Sequence, residues 1–204
     1  MLKFFELPPS PNNAKIRMAL RFKGIEFEAE DVDRADRTRL VEVSGQELSP
    51  VIQDKGVVVN DSDAILQFLD ANYPGPRLFP AERAGRKACD AWFEELNPRV
   101  RTPVGALFMF TIGMIPDPGE PARQGLRAGL AWLEEQVGED GTLCGADKPA
   151  CDLLAATWAV YALPGEGFKK RVPLVAKVEQ VMGIARGTYP KLEKLLEPWN
   201  QRLA

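Results

Sequence analysis

The sequence predicts a small α/β domain followed by an all-helical domain. In the first part of the chain, apolar residues follow strand and helix periods in turn. A proline-rich stretch then interrupts both periods, and no strand pattern occurs beyond it. A chain of 204 residues can hold two modest domains, each with its own core. We therefore predict domains at residues 1–75 and 83–204, joined by a linker at residues 76–82.

The first predicted domain begins with a strand, a helix and a second strand. The opening MLKFFEL reads as a strand, and the following helix starts with Ser10 as its N-cap and Pro11 as its first residue. Gly24 is expected to end this helix in the left-handed conformation. In GIEFEAEDVD, apolar residues including Phe27 and Ala29 alternate with glutamates, which is typical of a strand with one buried face.

The remaining elements of this domain are a short helix, a strand hairpin and a longer helix. They occupy the segments RADRTRLVEVSGQ, SPVIQDKGVVVN and NDSDAILQFLDANYP. The predicted order is therefore βαβαββα. It pairs the first two strands in parallel and adds an antiparallel hairpin.

The second predicted domain contains only helices. The segment CDLLAATWAVYAL is apolar nearly all round, so we expect it at the centre, whereas GLRAGLAWLEEQV and YPKLEKLLEPW carry a single apolar stripe. Pro98 and Pro103 each remove an intrahelical hydrogen bond, which predicts a kink or break between two helical segments. Phe108, Met109 and Met114 could line an apolar pocket, pack in the core or form a dimer contact.

Composition excludes several classes of function. A net charge of -3 provides no basic field for a nucleic acid. The chain has no histidine, which excludes Ser-His triads and histidine metal sites, and we expect no metal. Its three cysteines include no CxxC pair, so neither a disulfide framework nor a dithiol centre is expected. With no signal peptide or membrane span in the pattern, the predicted location is cytoplasmic, without a membrane partner.

Several of these segments together resemble the cytosolic glutathione S-transferases, in particular a bacterial type with a catalytic serine. The resemblance is dense over residues 1–80, in SPNNAKIRMALRFKGIEFE and SGQELSPVIQDKGVVVNDSDAILQFLDANYP, and looser in the second half. Its most specific element is Pro50 followed at the family's spacing by Asp61 and Ser62. It implies an N-terminal thioredoxin-like domain, a helical C-terminal domain and glutathione as co-substrate.

Two interpretations of Ser10 follow. An isolated serine before a helix is usually an N-cap and nothing more. The resemblance implies instead that the Ser10 hydroxyl donates to the glutathione sulfur, with Asn12 and Asn13 as the next possible donors. A hydroxyl donor and the positive end of a helix both favour a thiolate. Lowering a thiol pKa by about two units takes about 2.7 kcal/mol.

The segment around Pro50 is expected to bind the glutathione backbone. The resemblance implies a cis Ser49–Pro50 bond and pairing of the Ser49 backbone with the extended tripeptide. The alternative is a trans proline at the head of an edge strand. The family usually has a branched aliphatic residue in place of Ser49 and a polar one in place of Leu48. The glycyl carboxylate is then left to Gln46, Arg37 or Arg39.

Asp61 and Ser62 also allow two interpretations that can coexist. Either residue is a good N-cap for the following helix. The helix start and the Ser62 hydroxyl could also hold the γ-glutamyl carboxylate, while Asp61 accepts from the amine. Asp152 resembles the family's buried aspartate at the start of a core helix, and we interpret it as a folding residue.

The predicted activity is conjugation of the glutathione thiolate to a hydrophobic electrophile held by the helical domain. Two alternatives stay open: a non-catalytic interaction or regulatory protein that keeps the fold, and a glutathione-dependent thiol-disulfide oxidoreductase or peroxidase. The resemblance further implies a homodimer.

Overall fold

The computed structural model describes every residue from Met1 to Ala204 and divides the chain into two compact units. The N-terminal unit is Met1–Leu78 and the C-terminal unit is Phe79–Ala204. None of the helices is both long and apolar enough to cross a membrane.

The N-terminal unit contains four strands and three helices in the predicted βαβαββα order. These elements are β1 Leu2–Glu6, α1 Pro11–Phe22, β2 Phe27–Asp31, α2 Thr38–Ser44, β3 Val51–Asp54, β4 Val57–Asn60 and α3 Ser62–Asn72. The sheet order is β2-β1-β3-β4, with β1 and β2 parallel and both other pairs antiparallel. The predicted fold class, a thioredoxin-like α/β domain followed by helices, is confirmed.

Apolar residues of the inner strands and of two helices form the core of this unit. Phe4 and Ile52 on the central strands, Ile16 and Leu20 on α1, and Ile65 on α3 are all fully buried. The two outer strands are less protected because each has a neighbour on one side only. The alternation predicted for β2 is therefore incomplete, and Ala29, expected on a buried face, is exposed.

Buried polar contacts attach the residues after α3 to the N-terminal unit. Lys23 Nζ lies 3.0 Å from Asp70 Oδ1 and 3.0 Å from the Pro76 carbonyl oxygen. The Leu78 N–H also donates to Asp70 Oδ1, at 2.9 Å. Residues 76–78, the first part of the predicted linker, are thus held by the unit, which ends at Leu78.

The C-terminal unit is entirely helical. Its helices are α4 Arg83–Leu96, α5 Thr102–Thr111, α6 Gly119–Gln136, α7 Pro149–Ala159, α8 Glu166–Arg171, α9 Leu174–Met182 and α10 Pro190–Gln201. Most of α7 is buried, as its continuous apolar pattern predicts. Phe108 on α5 is buried edge-on against Tyr161, at a centroid distance of 5.4 Å, whereas Met114 is 56% exposed. Phe108 is thus a core residue of this unit.

The predicted break between Pro98 and Pro103 is a π-helical segment. This segment, Asn97–Arg101, joins α4 to α5. A proline in a helix lacks an N–H, and a wider turn is one way to accommodate it. Gly129 of α6 packs directly on this segment, and a Cβ at that position would clash with the Arg99 carbonyl oxygen. The break and the glycine opposite it therefore form one close helix contact.

The expectation that the chain has no disulfide, which was based on the cysteine spacing, is wrong. Cys144 and Cys151 are joined by a disulfide across seven positions, with their Cα atoms 6.1 Å apart. This Cα distance is ordinary for a disulfide. The chain turns back at Gly145, whose φ of 96° suits glycine, and so returns Cys144 to the start of α7. A search for CxxC pairs does not detect a disulfide between cysteines seven positions apart.

Candidate functional site

The strand register gathers the predicted site segments at one edge of the sheet. Phe5 near the end of β1 pairs with Val51 at the start of β3, and Val51 pairs with Asn60 at the end of β4. Glu6 at the end of β1 also pairs with Asp31 at the end of β2. The segments that follow β1, β2 and β4, and the segment that precedes β3, therefore emerge at the same edge. These segments contain all the predicted glutathione-binding and catalytic residues.

Ser10 occupies the N-cap position of α1, but its side chain does not cap the helix. Its carbonyl oxygen accepts from the N–H groups of Asn13 and Ala14, both at 3.0 Å, and its own N–H donates to the Leu7 carbonyl. The hydroxyl makes no capping hydrogen bond, and the residue is half-buried. The first turn of α1 carries no acidic residue to offset the positive end of the helix. The backbone of Ser10 is thus fixed at the start of α1, while its hydroxyl makes no hydrogen bond to the first turn of the helix.

Asn13 connects two segments of the site. It is fully buried, and its Oδ1 accepts from the Leu7 N–H at 3.1 Å while its Nδ2 donates to Ser49 Oγ at 3.0 Å. Asn12 beside it is only half-buried. We expected Asn12 and Asn13 alike as possible donors to the sulfur and did not predict this bridging role. The signal was available, since Asn13 shares helical spacing with the core residues Ile16 and Leu20.

The Ser49–Pro50 peptide bond is cis, as the resemblance implies. Pro50 is buried at the head of β3, whereas Leu48 is 71% exposed. Gln46, one predicted partner of the glycyl carboxylate, donates from Nε2 to the Leu48 carbonyl at 3.3 Å. Its side chain therefore already has a partner in the loop before Pro50.

The start of α3 is capped by its own aspartate. Asp61 Oδ1 accepts from the N–H groups of Asp63 at 2.9 Å and Ala64 at 3.0 Å. These two donors, which were expected to be open to a carboxylate, are already engaged. Asp61 also has a φ of 70°, a conformation that a non-glycine residue adopts at a cost of about 1–3 kcal/mol. Ser62, the first residue of α3, is 7% exposed.

Lys15 places a positive charge beside the start of α3. Its Nζ lies 2.7 Å from Asp63 Oδ1, and the lysine side chain is 6% exposed while that of Asp63 is 73% exposed. The sequence offered no signal for this pair, because the two residues are 48 positions apart and meet only through the packing of α1 on α3.

A buried ion pair fixes the end of β1 against α1. Arg17 Nε donates to Glu6 Oε2 at 3.2 Å, and its Nη2 contacts Glu6 Oε1. The guanidinium also lies 5.3 Å from the ring centroid of Phe27 and 5.9 Å from that of Phe4. Since Glu6 directly precedes the loop to Ser10, this pair holds the root of that loop.

Arg37 and Arg39 lie in different surroundings near the start of α2. Arg39 is paired on the surface with Glu30 and Glu42, and the hydrogen bond that it donates to Glu30 raises its pKa. Arg37 instead lines a shallow hollow of about 670 Å³ together with Glu47 and other residues of this segment. Of the two, Arg37 is therefore the one that borders this open space, which Asp36 and Glu42 also line.

Comparison with known families agrees with this geometry. Residues 4–77 match the family model described as "Glutathione S-transferase, N-terminal domain". The N-terminal unit is thus similar to the N-terminal domain of the glutathione S-transferases. This family match covers nearly the whole of the N-terminal unit and ends before the helical one.

Curated relatives extend the similarity to different lengths. A probable glutathione S-transferase of Nicotiana tabacum is 27% identical over 101 residues, which covers 48% of this chain and 45% of that protein. The chain thus spans less than half of that relative's length. Glutathione S-transferase U1 of Arabidopsis thaliana is 24% identical over 92% of this chain and 88% of its own. A maleylpyruvate isomerase of Ralstonia sp. is 29% identical over 90 residues, covering 42% of each chain.

Solved structures show that the similarity in fold covers both units. The bacterial glutathione S-transferase BphK, solved as a ternary complex, gives a TM-score of 0.72 at 20% identity over 98% of this chain and 97% of its own. A glutathione S-transferase of Methylobacterium radiotolerans, solved with glutathione sulfonate, gives 0.61 at 24% identity over 96% and 94%. The whole chain therefore has the glutathione S-transferase fold.

Proposed function

We propose that this protein is a glutathione transferase of the serine type, which joins the glutathione thiolate to a hydrophobic electrophile. The observation that carries the proposal is the hydroxyl of Ser10, which lies at the start of α1 without capping it. A hydroxyl donor at the positive end of a helix favours the ionised form of a thiol placed beside it.

The tripeptide is proposed to lie across the edge of the sheet where the site segments meet. The Ser49 backbone pairs with the cysteinyl peptide unit in the manner of an added strand. The Ser62 hydroxyl donates to the γ-glutamyl carboxylate, and Asp61 accepts from the amine through the oxygen that does not cap α3. Lys15 adds a positive charge near this carboxylate, and Arg37 or Gln46 faces the glycyl carboxylate.

The chemistry asks little of the protein beyond stabilisation of the thiolate and positioning of the reactants. The glutathione thiol loses its proton to solvent, and its sulfur donates an electron pair to the electrophile to form the new carbon–sulfur bond. A displaced leaving group departs with the electron pair of the bond that breaks. Ser10 holds its own proton throughout, since it acts as a hydrogen-bond donor.

Replacing Ser10 tests this proposal. Ser10→Ala should raise the pKa of bound glutathione towards the free value of about 8.5 and lower kcat/KM with an aryl halide at least about tenfold, or about 1.4 kcal/mol. Ser10→Thr keeps the hydroxyl and should retain most of the activity. The measurements are an ultraviolet titration of the bound thiolate and steady-state kinetics. If the pKa of bound glutathione is unchanged in Ser10→Ala and the thiolate signal disappears in Asn12→Ala, Asn12 is the donor.

A second candidate is glutathione-assisted isomerisation. It is favoured by the similarity to the maleylpyruvate isomerase, which extends over 90 residues of this chain. The same bound thiolate would add to a double bond and leave again after rotation. Assays with maleylpyruvate, an aryl halide and an organic peroxide, each with and without glutathione, distinguish isomerase, transferase and peroxidase. Activity in none of them would favour a non-catalytic role.

We also propose that the protein is a cytoplasmic homodimer. The assembly is suggested by the resemblance to the cytosolic transferases and by Met114 and Ile115, which are 56% and 39% exposed. Light scattering should give twice the chain mass of 22.6 kDa. A mass of one chain at micromolar concentration would contradict the dimer.

A further inference from the structure

The C-terminal unit holds a cluster of three cysteines that the proposed transferase chemistry does not use. Cys144 in the loop before α7 is bonded to Cys151 in the first turns of α7. Cys89 on α4 carries the free thiol, and its Sγ lies 3.9 Å from Cys151 Sγ. A third sulfur in contact with a disulfide is the arrangement that thiol–disulfide exchange needs.

Exposure differs sharply across the cluster. Cys89 and Cys151 are both fully buried, whereas Cys144 is partly exposed. Of the three sulfurs, only that of Cys144 therefore belongs to a residue that solvent reaches. The thiol that is free in the structure is the one that reagents cannot readily reach.

Contacts other than the disulfide hold Cys144 beside α7. The Leu143 N–H donates to Asp152 Oδ1 at 2.8 Å, and the Gly145 N–H donates to Thr142 Oγ1 at 3.0 Å. These two hydrogen bonds flank Cys144 on both sides. The first of them joins the loop to α7 independently of the disulfide, and the second lies within the loop.

We propose that Cys89, Cys144 and Cys151 form a thiol–disulfide exchange site that presents Cys144 to low-molecular-weight disulfides. The Cys89 thiolate attacks Cys151 Sγ, the Cys89–Cys151 bond forms and the Cys144–Cys151 bond breaks. The electron pair of the broken bond leaves on the Cys144 sulfur, which takes up the proton that Cys89 lost. One thiol and one disulfide are present before and after, so the step needs no oxidant or reductant.

The exchange moves the reactive thiol from the core to the surface of the unit. The Cys144 thiolate can then attack a low-molecular-weight disulfide such as oxidised glutathione. A mixed disulfide forms at Cys144 and one molecule of the reduced thiol leaves. All three cysteines lie in the C-terminal unit, so this inference does not depend on glutathione binding at the sheet edge.

Charges around Cys89 set the conditions for a test. Burial raises the pKa of the Cys89 thiol, with Asp90 and Asp147 acting in the same direction, while Lys148 lowers it. The thiolate that attacks is therefore scarce at neutral pH and more abundant above it. Labelling is best performed at mildly alkaline pH.

Alkylation of the native protein locates the reactive thiol. Protein purified without reductant is treated with iodoacetamide, quenched in acid and mapped by peptide mass spectrometry. We expect label on Cys144 at least about tenfold above that on Cys89, and a disulfide-linked pair of peptides containing Cys89 and Cys151. Label mainly on Cys89, no label at all, or three free thiols after denaturation would each overturn the proposal.

Two variants separate exchange from simple exposure. Cys89→Ala removes the attacking thiol, so Cys144 should stay in its disulfide and take up no label without denaturant. Cys151→Ser frees Cys144 directly, and its labelling should be faster than in the unchanged protein. Equal labelling of Cys144 with and without Cys89 would contradict the relay. If Cys89→Ala does not fold, the peptide map of the unchanged protein still decides between the two outcomes.

Discussion

The helices α1 and α3 both start at the candidate site, and they treat their N-cap residues in opposite ways. Asp61 uses its side chain to cap α3 and occupies two N–H groups of the first turn. Ser10 stands at the equivalent position of α1 and makes no capping bond with its side chain. The hydroxyl of Ser10 is thus left for a ligand, whereas the carboxylate of Asp61 is engaged by the backbone of its own helix. The first is better suited to activate a thiol and the second to stabilise the fold.

The loss of Asn13 should have the largest effect on the start of α1. Asn13→Ala removes the partners of the Leu7 N–H and of Ser49 Oγ, which should lower the free energy of unfolding by about 2–4 kcal/mol. Asn12→Ala, one position away and half-buried, is the matched control and should cost less than about 0.5 kcal/mol. Urea denaturation measures both. Equal costs would mean that the start of α1 is not held by the Asn13 bridge.

Asp152 tests a third helix start, at which an acid reaches out to a neighbouring loop. Burial raises the pKa of Asp152 from 3.8 to about 6, although its hydrogen bond from Leu143 opposes the shift. The folded state therefore binds this proton more tightly, and the stability it confers is present below about pH 4 and lost as the pH rises through about 6.

Asp152→Asn removes this titration and keeps an acceptor for Leu143. As the pH rises from about 4 to about 7, the unfolding free energy of the variant should increase by about 2–3 kcal/mol relative to that of the unchanged protein. Asp36→Asn is the control, because hydrogen bonds from Thr38 lower the pKa of Asp36 and so give no gain in this direction. Urea denaturation at the two pH values measures the unfolding free energies. The same change with pH in both variants would contradict the expectation.

Ser62 sharpens the comparison from the side of α3. With Asp61 holding two N–H groups, the Ser62 hydroxyl should supply much of the binding to the γ-glutamyl carboxylate. Ser62→Ala should weaken glutathione binding by about 1–3 kcal/mol, since a desolvated carboxylate loses a donor. Calorimetry measures the affinity, and Ser44→Ala, which lies in the same unit within α2, is the control. Unchanged affinity in Ser62→Ala would move the carboxylate to another part of the edge.

The smallest effect is the difference in capping itself. Asp61→Ala should cost about 1 kcal/mol of unfolding free energy, whereas Asp61→Asn keeps a capping oxygen and tolerates positive φ. Ser10→Ala should cost less than about 0.5 kcal/mol, because no capping bond is lost. Thermal and urea unfolding of the three variants measure these differences. A loss of about 1 kcal/mol in Ser10→Ala would show that the serine caps α1 in solution.

Local patterns were sufficient for the order of elements in the N-terminal unit. Strand and helix periods predict βαβαββα, and the prolines at 98 and 103 predict the break that the π-helical segment forms. They did not predict that Ala29 is exposed, because whether the face of a strand is covered depends on the place of that strand in the sheet. They also left the bridging role of Asn13 unpredicted, although its helical spacing with Ile16 and Leu20 already indicated a position facing the core.

The sequence by itself determined the succession of elements in the N-terminal unit and the starts of α1 and α3, because each depends on residues within a few positions of one another. Its composition also excludes histidine chemistry. Only the tertiary structure decided which N-cap side chain is occupied, that Asn13 joins Leu7 to Ser49, that Lys15 meets Asp63 and that Cys89 lies beside a disulfide. Three of these four features join residues 36 to 62 positions apart. Such contacts are set by strand register and helix packing, which no local pattern specifies.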